Sequence, residues 1–247
     1  MTIIEVTSLQ FRFPDGTRAL NGIDLRIAKG EFIVLAGRNG SGKTVFMKHL
    51  NGLLKPEAGS VTVAGIDTVK DPLKTRKTVG LVFQNPDSQF VGQTVREEVR
   101  FGPENLRLSE MDIQNRVDHA LQITGLSLKA DRRPHTLSGG EKRRLALAGV
   151  LAMEPEVLVL DEPFSGLDLE GTRDVLEGIL TLFHSGHTVI IITHEVEKVL
   201  AHADRMVIMA EGKIVGDGHP SDMLKTAQEF GIHIPPKTSL EEMSWMV

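Results

Sequence analysis

The sequence contains a glycine-rich octapeptide that is suited to binding phosphate. It follows a short apolar run, Phe32–Ala36. Glycines let backbone N–H groups turn around phosphate oxygens, and a helix that begins here adds its positive N-terminal end. In such loops the lysine reaches the β- and γ-phosphates and the next hydroxyl binds Mg²⁺. We therefore predict a nucleotide site rather than an ordinary glycine-rich turn. Its residues are Gly37, Arg38, Asn39, Gly40, Ser41, Gly42, Lys43 and Thr44.

Two adjacent carboxylates follow another short apolar run. Val157–Leu160 leads directly into Asp161 and Glu162. In open α/β sheets, ligands bind at the carboxyl ends of the strands, where these two side chains would lie. One acid can hold Mg²⁺ while the other orients or deprotonates water. We assign Asp161 to the metal and Glu162 to the attacking water. Without a phosphate loop in the same chain, a solvated acidic pair would be the better interpretation.

A second glycine-rich segment, Leu137–Glu141, precedes a helix-like stretch. Ser138 followed three residues later by Glu141 is a capping-box pattern, which needs no function. The adjacent glycines Gly139 and Gly140 are costly to order, however, and they suit close approach of an anion to the backbone. The sequence therefore contains two helix starts that are suited to phosphate.

These segments require a sheet whose strands end at one edge. Short β-branched apolar runs alternate with longer helix-like stretches, which is the pattern of βα units around a mostly parallel sheet. Nearly continuous apolar runs are typical of parallel strands that are buried on both faces. The strands predicted in this way are Phe32–Ala36, Val79–Phe83, Val157–Leu160 and Thr188–Thr193.

The remaining segments predict two additions to this sheet. Near the start of the chain, polar residues interleave with apolar ones between turns, which predicts an antiparallel β-lobe comprising Ile3–Phe13, Ile23–Ile27 and Ser60–Val63. From about Pro86 to Glu154, strand patterns almost vanish, which predicts a helical insertion between two core strands. Its helices are Val95–Gly102, Glu110–Thr124 and Gly140–Met153. A tight turn at Glu211-Gly212-Lys213 separates two late strands, Met206–Met209 and Ile214–Val215.

Composition excludes several classes of protein. The 247 residues are 40% hydrophobic and carry 28 Lys+Arg against 33 Asp+Glu, as in soluble globular proteins. No apolar run approaches the roughly 20 residues of a membrane helix, and the acidic start lacks the basic region of a signal peptide. Zero cysteines exclude disulfides and thiolate sites and fit a cytoplasmic protein. Without a long Lys/Arg block, the chain is a poor candidate for binding nucleic acid.

The motifs together resemble those of the nucleotide-binding subunit of an ATP-binding-cassette (ABC) transporter. Leu137–Glu141 matches the family's signature motif, Gln84 its Q-loop, Ser165–Asp168 its D-loop and His194 its switch histidine. All occur in the family's order and spacing over nearly the whole chain. Within the family, three further segments resemble energy-coupling-factor and cobalt/nickel-type uptake ATPases. These are Gln84–Phe90, Phe101–Asn105 and Phe230–Pro236.

The resemblance implies an α/β fold, the P-loop NTPase fold of ABC ATPases, with a mostly parallel RecA-like core, an antiparallel β-lobe and an inserted α-helical subdomain. The whole chain, 1–247, would form one nucleotide-binding domain. Residues 1–85 and 155–220 would form the core with its β-lobe, and residues 86–154 the helical signature subdomain. We expect the C-terminal extension, 221–247, to pack either on its own core or on a partner subunit.

The resemblance also implies a head-to-tail dimer that hydrolyses ATP with Mg²⁺. ATP would lie between Gly37–Thr44 of one subunit and Ser138, Gly139, Gly140 and Glu141 of the other. His194 would contact the γ-phosphate, and Gln84 would meet Mg²⁺ or the water. Asp168 would link the two sites. Taken alone, a histidine or a glutamine at a strand end is more often structural.

The adenine contact departs from the family's pattern. Family members usually stack the adenine on a tyrosine in the first β-lobe, and this chain has no tyrosine. Phe13 occupies the matching place. Because stacking needs a π-face rather than a hydroxyl, we expect Phe13 to stack on the adenine, with Phe11 as the alternative.

The implied partners are a second copy of the chain or a second ABC ATPase, a transmembrane coupling subunit and a substrate-binding membrane subunit. The chain would then be a peripheral protein at the cytoplasmic face of the membrane that powers uptake of a cobalt or nickel ion or a vitamin. Gln89, Phe90 and Arg96 lie where family members contact coupling helices, although Phe90 could equally be buried in the helical lobe.

Two other functions compete with the importer hypothesis. A soluble ABC ATPase could act on DNA or ribosomes, but such relatives usually join two cassettes or insert a long coiled coil, and neither fits in 247 residues. A regulatory nucleotide-binding module would not hydrolyse ATP, and the intact Glu162 and His194 argue against it. We therefore expect no nucleic-acid partner.

Overall fold

The computed structural model describes residues 1–85, 90–235 and 239–246. The strands in these ranges are β1 Thr2–Arg12, β2 Arg18–Ala28, β3 Phe32–Ala36, β4 Ala58–Val63, β5 Ile66–Asp67, β6 Val79–Val82, β7 Val157–Asp161, β8 Thr188–Thr193, β9 Arg205–Ala210 and β10 Lys213–Gly218. The helices are α1 Lys43–Leu50, α2 Pro72–Thr78, α3 Val95–Asn105, α4 Glu110–Ile123, α5 Gly139–Leu151, α6 Leu169–His184 and α7 Pro220–Glu229.

The central sheet has six strands in the order β10-β9-β3-β8-β7-β6. Its neighbours pair in parallel except for β10, which pairs antiparallel with β9. The predicted parallel core is thus confirmed. Alternate residues of β3 face two separate hydrophobic clusters: Phe32 and Val34 pack with the helices, whereas Ile33 and Leu35 pack beneath the β-lobe. Burial on both faces explains why these strands have nearly continuous apolar sequences.

The predicted antiparallel β-lobe is also confirmed. Its sheet has the order β2-β1-β4-β5, and the pairings are antiparallel. One hydrophobic cluster joins the lobe to α1 through residues such as Leu9, Ile23, Phe46 and Met47. The lobe is therefore fixed against the helix that follows the glycine-rich loop.

Helices α3, α4 and α5 form the helical part between β6 and β7, as predicted. Thr94 closes a capping box with Glu97 at the start of α3. Helix α5 begins at Gly139, one residue earlier than expected, because Ser138 is its N-cap and closes a capping box with Glu141. None of the helices in the described part of the chain combines the length and the apolar character that crossing a bilayer requires.

The described end of the chain packs on its own core. Met243 is completely buried, and its carbonyl accepts a hydrogen bond from the Ala201 N–H at 3.0 Å. The ring of Trp245 lies 4.5 Å from Nζ of the buried Lys198. We expected the C-terminal extension to pack either on its own core or on a partner subunit. In the structure, residues 239–246 pack on the core.

Candidate active site

Four sequence motifs meet at one edge of the central sheet. Because β3, β6, β7 and β8 run in parallel, their carboxyl ends bring the loops that follow them to the same edge. A cavity of about 520 Å³ lies there, a size suited to a small-molecule ligand. It is lined by Phe13, Thr17, Arg18, Ala19, Asn39, Gly40, Gly42, Lys43, Thr44, Val45, Gln84, Asp161, Glu162 and His194.

The glycine-rich loop curls around the side chain of Lys43. The ammonium group of Lys43 donates hydrogen bonds to the carbonyls of Gly37 at 2.6 Å and Arg38 at 3.1 Å. Burial lowers the pKa of Lys43, and the negative charges of Glu162 and Asp161 oppose this effect. Helix α1 has no side-chain N-cap, so its first amide groups remain available to an anion.

Gly42, at the start of α1, has a conformation that favours glycine. Its φ is +103°, and a Cβ at this position would lie 2.7 Å from the carbonyl oxygen of Ala19. This contact joins the loop to β2 of the β-lobe. A larger residue at this position would therefore displace either the loop or the lobe.

Three residues of the glycine-rich loop, Gly37, Arg38 and Ser41, do not line the main cavity. The side chain of Arg38 lies against Gly231, beyond the end of α7, where a Cβ on Gly231 would lie 3.1 Å from Cδ of Arg38. Ser41 is buried, and its Oγ has no hydrogen-bond partner within the described residues. An unpaired buried hydroxyl in a phosphate-type loop fits a role toward a bound ligand.

Thr44, in the first turn of α1, and Asp161, the last residue of β7, form a pair of oxygen donors. The Thr44 hydroxyl donates to Oδ2 of Asp161 at 2.9 Å. Burial raises the pKa of Asp161, while the Thr44 hydrogen bond opposes this rise and the nearby charge of Glu162 adds to it. A buried carboxylate beside a hydroxyl is a hard oxygen donor set that suits Mg²⁺.

Glu162 has an unusual backbone conformation that aims its side chain. Its φ is +49°, in the left-handed region that non-glycine residues rarely adopt. Its N–H donates to the carbonyl of Ile192 at 2.8 Å. The Thr193 hydroxyl donates to Oε2 at 3.0 Å, and Nδ1 of His194 lies 2.7 Å from Oε1. Glu162 is therefore held from both its backbone and its carboxylate.

Phe13 and Phe11 occupy different environments. Phe13 is 37% exposed and lines the cavity, whereas Phe11 is partly buried against the β-lobe cluster. Their rings meet edge to face with centroids 5.2 Å apart, and Phe11 makes a similar contact with His49 at 4.9 Å. Phe13 thus has the ring that a ligand can reach, and Phe11 supports it from behind.

The signature segment lines a different cavity. Ser138, Gly139, Gly140 and Glu141 share a space of about 320 Å³ with Gly166, Leu167 and Asp168. No residue lines both this cavity and the one that contains Lys43. The structure of one chain therefore does not bring Ser138–Glu141 or Asp168 to the glycine-rich loop.

The two signature glycines are open on their outer sides. A Cβ on Gly139 would come no closer than 4.0 Å to Leu167, and one on Gly140 no closer than 3.6 Å to Gly171. Both are ordinary contact distances, so packing within this chain does not require glycine. The Glu141 carboxylate, by contrast, accepts the Ser138 N–H at 2.9 Å and pairs with Lys129, so its side chain is engaged within the chain.

The residues expected to contact a membrane partner are only partly described. Gln84 is exposed and lines the main cavity. Phe90 is partly buried against the main hydrophobic cluster and also lines a separate cavity with Arg133 and His135. Arg96 pairs with Asp118 at 2.7 Å. Gln89 lies outside the described residues, as does Pro236 of the C-terminal segment.

Sequence reasoning missed two residues of this site. Thr193 is the last residue of an apolar strand, and only its position beside Glu162 reveals its hydroxyl contact. Arg143 donates to the carbonyls of Gln84 and Glu162 at 3.2 and 3.1 Å. It stands in a basic run, and such a run at a helix start is typical of a solvated surface.

Comparison with known proteins places this geometry among ABC proteins. The family model described as "ABC transporter" matches residues 20–165. The energy-coupling factor transporter ATP-binding protein EcfA of Methanocaldococcus jannaschii is 43% identical, over 98% of this chain and 89% of that protein. EcfA2 of Clostridium perfringens is 43% identical, over 90% of this chain and 81% of that protein.

Solved structures have the same fold. CbiO1 from Clostridium perfringens, described as part of the ABC transporter complex cbiONQ, superposes with a TM-score of 0.84 at 36% identity and covers 95% of this chain and 96% of its own. An ATP-binding cassette of an ABC transporter in its ADP conformation superposes with a TM-score of 0.83 at 25% identity, covering 95% of this chain and 100% of its own.

Proposed function

Because the chain belongs to the ATP-binding subunits of ABC transporters, of the energy-coupling factor type, we propose that two such subunits bind ATP between them and that its hydrolysis powers uptake through a membrane transporter. The chain is an ABC-type ATPase. The proposal assigns the residues that bind and hydrolyse ATP, the arrangement of the two subunits and the direction of transport.

The first half of the proposed ATP site is the cavity that contains Lys43. Phe13 stacks on the adenine, and the amides of residues 40–44 surround the phosphates. The ammonium group of Lys43 lies inside the loop, 2.6 Å from the Gly37 carbonyl. It is therefore placed to neutralise the charge of the β- and γ-phosphates of a bound nucleotide. The unpaired hydroxyl of Ser41 supports a ligand in this loop.

Thr44, Asp161 and Gln84 are the proposed holders of Mg²⁺. The hydroxyl, carboxylate and amide oxygens are hard donors that line the same cavity. Within the described residues there is no cluster of three or more acidic, histidine or cysteine side chains that would hold a metal alone, which fits an ion that also binds phosphate. When bound, Mg²⁺ offsets the negative charge that develops on the phosphates.

Glu162 is the proposed base that orients and deprotonates the attacking water. Its carboxylate is buried, and Thr193 and His194 fix both of its oxygens. His194 is half exposed and lines the cavity, so it reaches both Glu162 and a γ-phosphate. We propose that it couples the position of the base to the presence of that phosphate.

The separation of the two glycine-rich helix starts is the observation that carries the dimer. The Ser138 hydroxyl and the Gly139 and Gly140 amides belong to a different cavity from the one that contains Lys43, and packing within the chain does not require these glycines. A second copy, arranged head to tail, supplies the signature segment to the first copy's ATP. Because one chain contains both the glycine-rich loop and the signature segment, we take a second copy as the partner. Asp168, which lines the signature cavity, would lie beside the contact between the two copies.

The membrane partners are proposed from the relatives. Proteins described as energy-coupling factor transporter ATP-binding proteins, and a structure described as part of a cbiONQ complex, support a transmembrane coupling subunit and a substrate-binding membrane subunit. We place the chain at the cytoplasmic face of that complex. A cobalt or nickel ion or a vitamin is the proposed cargo, on the resemblance of its Q-loop and C-terminal segments to such ATPases.

Co-purification tests this function. A tagged Glu162→Gln chain is isolated from its native membrane with ATP and Mg²⁺, and a tagged chain that also carries Lys43→Ala serves as the control. The proposal predicts recovery of a polytopic membrane protein together with untagged copies of the chain. A different ABC ATPase in place of those copies would overturn the homodimer. Recovery of ribosomes or DNA-associated proteins without a membrane protein would overturn the transporter function.

A further inference from the structure

One arginine in the signature helix contacts three other motifs. Arg143 lies in the second turn of α5, five residues after the N-cap Ser138. Its Nη1 donates to the carbonyls of Gln84 at 3.2 Å and Glu162 at 3.1 Å, and its Nη2 donates to the carbonyl of Ser165. These carbonyls belong to the loops after β6 and β7, which are far apart in sequence.

The partners of Arg143 require a planar, forked donor. All three of its hydrogen bonds within the described residues go to main-chain carbonyls rather than to carboxylates. A guanidinium group has five N–H donors in a fixed plane, whereas a lysine has one point charge on a flexible stem. Burial lowers the pKa of Arg143, and the charges of Glu162 and Glu195 oppose this effect. The side chain thus serves to fix backbone positions.

The fixed backbone is the segment that aims Glu162. The turn 162–165 closes with a hydrogen bond from the Ser165 N–H to the Glu162 carbonyl at 3.2 Å, and Arg143 binds carbonyls at both ends of this turn. Glu162 has a φ of +49°, a sparsely populated conformation that persists only where its surroundings enforce it. The Ile192 carbonyl holds its N–H, and Arg143 holds its carbonyl.

We infer that Arg143 is a positioning residue for ATP hydrolysis, which holds the Glu162 backbone and the 162–165 turn against the start of the signature helix. This inference rests on the proposed function, because it takes Glu162 as the base. In the proposed dimer, Ser138 of a chain contacts the ATP of the second copy while Glu162 of the same chain acts on its own ATP. Arg143 therefore links the signature end of one site to the base of the other.

Kinetics and chemical rescue test the inference in the full chain. Arg143→Ala and Arg143→Lys are compared with Arg116→Ala, which removes a surface ion pair with Glu154 in the same helical part. We expect both Arg143 variants to lower kcat by about 10- to 100-fold, because small displacements of a catalytic group have effects of this size. ATP affinity should stay within about 2-fold of the parent value, since Arg143 does not line the cavity that contains Lys43.

Rescue separates positioning from a general loss of structure. Millimolar methylguanidinium should restore hydrolysis several-fold in Arg143→Ala, whereas methylammonium should not, and neither should affect Arg116→Ala. Equal rescue by both cations, or an unchanged kcat in Arg143→Ala, would overturn the inference. If Arg143→Ala does not fold, Arg143→Lys tests the inference instead. A kcat equal to that of the parent chain in Arg143→Lys would show that the forked guanidinium group is not required, and would overturn the inference. An absence of hydrolysis by the parent chain would instead contradict the proposed function.

Discussion

Nδ1 of His194 lies 2.7 Å from Oε1 of Glu162, and the hydroxyl of the preceding residue, Thr193, donates to Oε2 at 3.0 Å. Two consecutive residues at the end of β8 thus hold both oxygens of a carboxylate at the end of β7. Because β7 and β8 are paired in parallel, with Asp161 opposite Ile192, the register of the sheet sets this contact. The base proposed for hydrolysis is therefore oriented by residues at the ends of two paired core strands.

Replacing Glu162 by glutamine should separate binding from hydrolysis. Glu162→Gln keeps the shape and one hydrogen-bond acceptor but cannot take a proton, so we expect hydrolysis to fall by about 100-fold or more while ATP binding is retained. Phosphate release and calorimetric titration measure the two quantities. Glu177→Gln, on the exposed face of α6, is the matched control. Unchanged steady-state hydrolysis in Glu162→Gln would remove the proposed role of this residue.

Phe13 should determine the affinity for the base of the nucleotide. Loss of a stacking ring costs about 1–3 kcal/mol per base, so Phe13→Ala should weaken ATP binding by about 5- to 150-fold. Phe13→Tyr should bind ATP as the parent chain does, because it keeps the π-face. Calorimetry of the monomer with ATP measures this. The Phe11 alternative would be supported if Phe13→Ala bound normally while Phe11→Leu lost affinity.

His49 should make the fold less stable in mild acid. Its side chain is completely buried, its Nε2 is unpaired within the described residues, and burial lowers its pKa from the ordinary 6.5. The unfolded chain therefore binds the proton more readily than the folded chain. The free energy of unfolding should fall as the pH decreases below about 7, until the pH passes the lowered pKa. Burial lowers the pKa of His202 in the same direction.

Urea denaturation at several pH values measures this dependence. His49→Gln should reduce the slope between pH 7 and pH 5, and His202→Gln should reduce it in part. His119→Gln, at an exposed position on α4, is the control. An identical slope in His49→Gln and the parent chain would show that His49 does not cause the acid sensitivity.

Asp161 should contribute to function at a cost in stability. Burial raises its pKa, so the ionised form that would hold Mg²⁺ is disfavoured in the folded chain without ligand. We expect Asp161→Asn to stabilise this form by about 1 kcal/mol and to abolish hydrolysis. Thermal unfolding without nucleotide measures the stability, with the exposed Asp131→Asn as the control. A lower melting temperature in Asp161→Asn would mean that its ionised carboxylate stabilises the fold.

Much of the candidate site could be predicted from the sequence because each motif directly follows a buried strand. Lys43, Gln84, Glu162 and His194 are separated by long stretches of chain, yet the rule that parallel strands end at one edge brings them together. The structure places all four in the lining of one cavity. The roles of these residues remain predictions, as does the division of the chain at residues 85, 154 and 220.

The contacts that could not be predicted join residues far apart in the sequence, and no local sequence pattern indicates them. Arg143 binds carbonyls, which every residue has, so no residue type reveals its partners. The burial of Met243 and the contact between Trp245 and Lys198 depend on where the chain goes after α7. The orientation of Arg38 toward Gly231 is set in the same way. Sequence periodicity indicates which face of a helix or strand is buried, but it does not indicate which individual residues come into contact.

Cysteine cross-linking tests the head-to-tail ATP site most directly, because the chain has no cysteines of its own. Asn39→Cys and Ser138→Cys are combined in the Glu162→Gln chain; within one copy these positions line different cavities. We predict an ATP-dependent disulfide-linked dimer that is lost when Lys43→Ala is added. If calorimetry confirms ATP binding by the cysteine variant and oxidation still gives only monomers, the proposed sharing of ATP between two copies is contradicted.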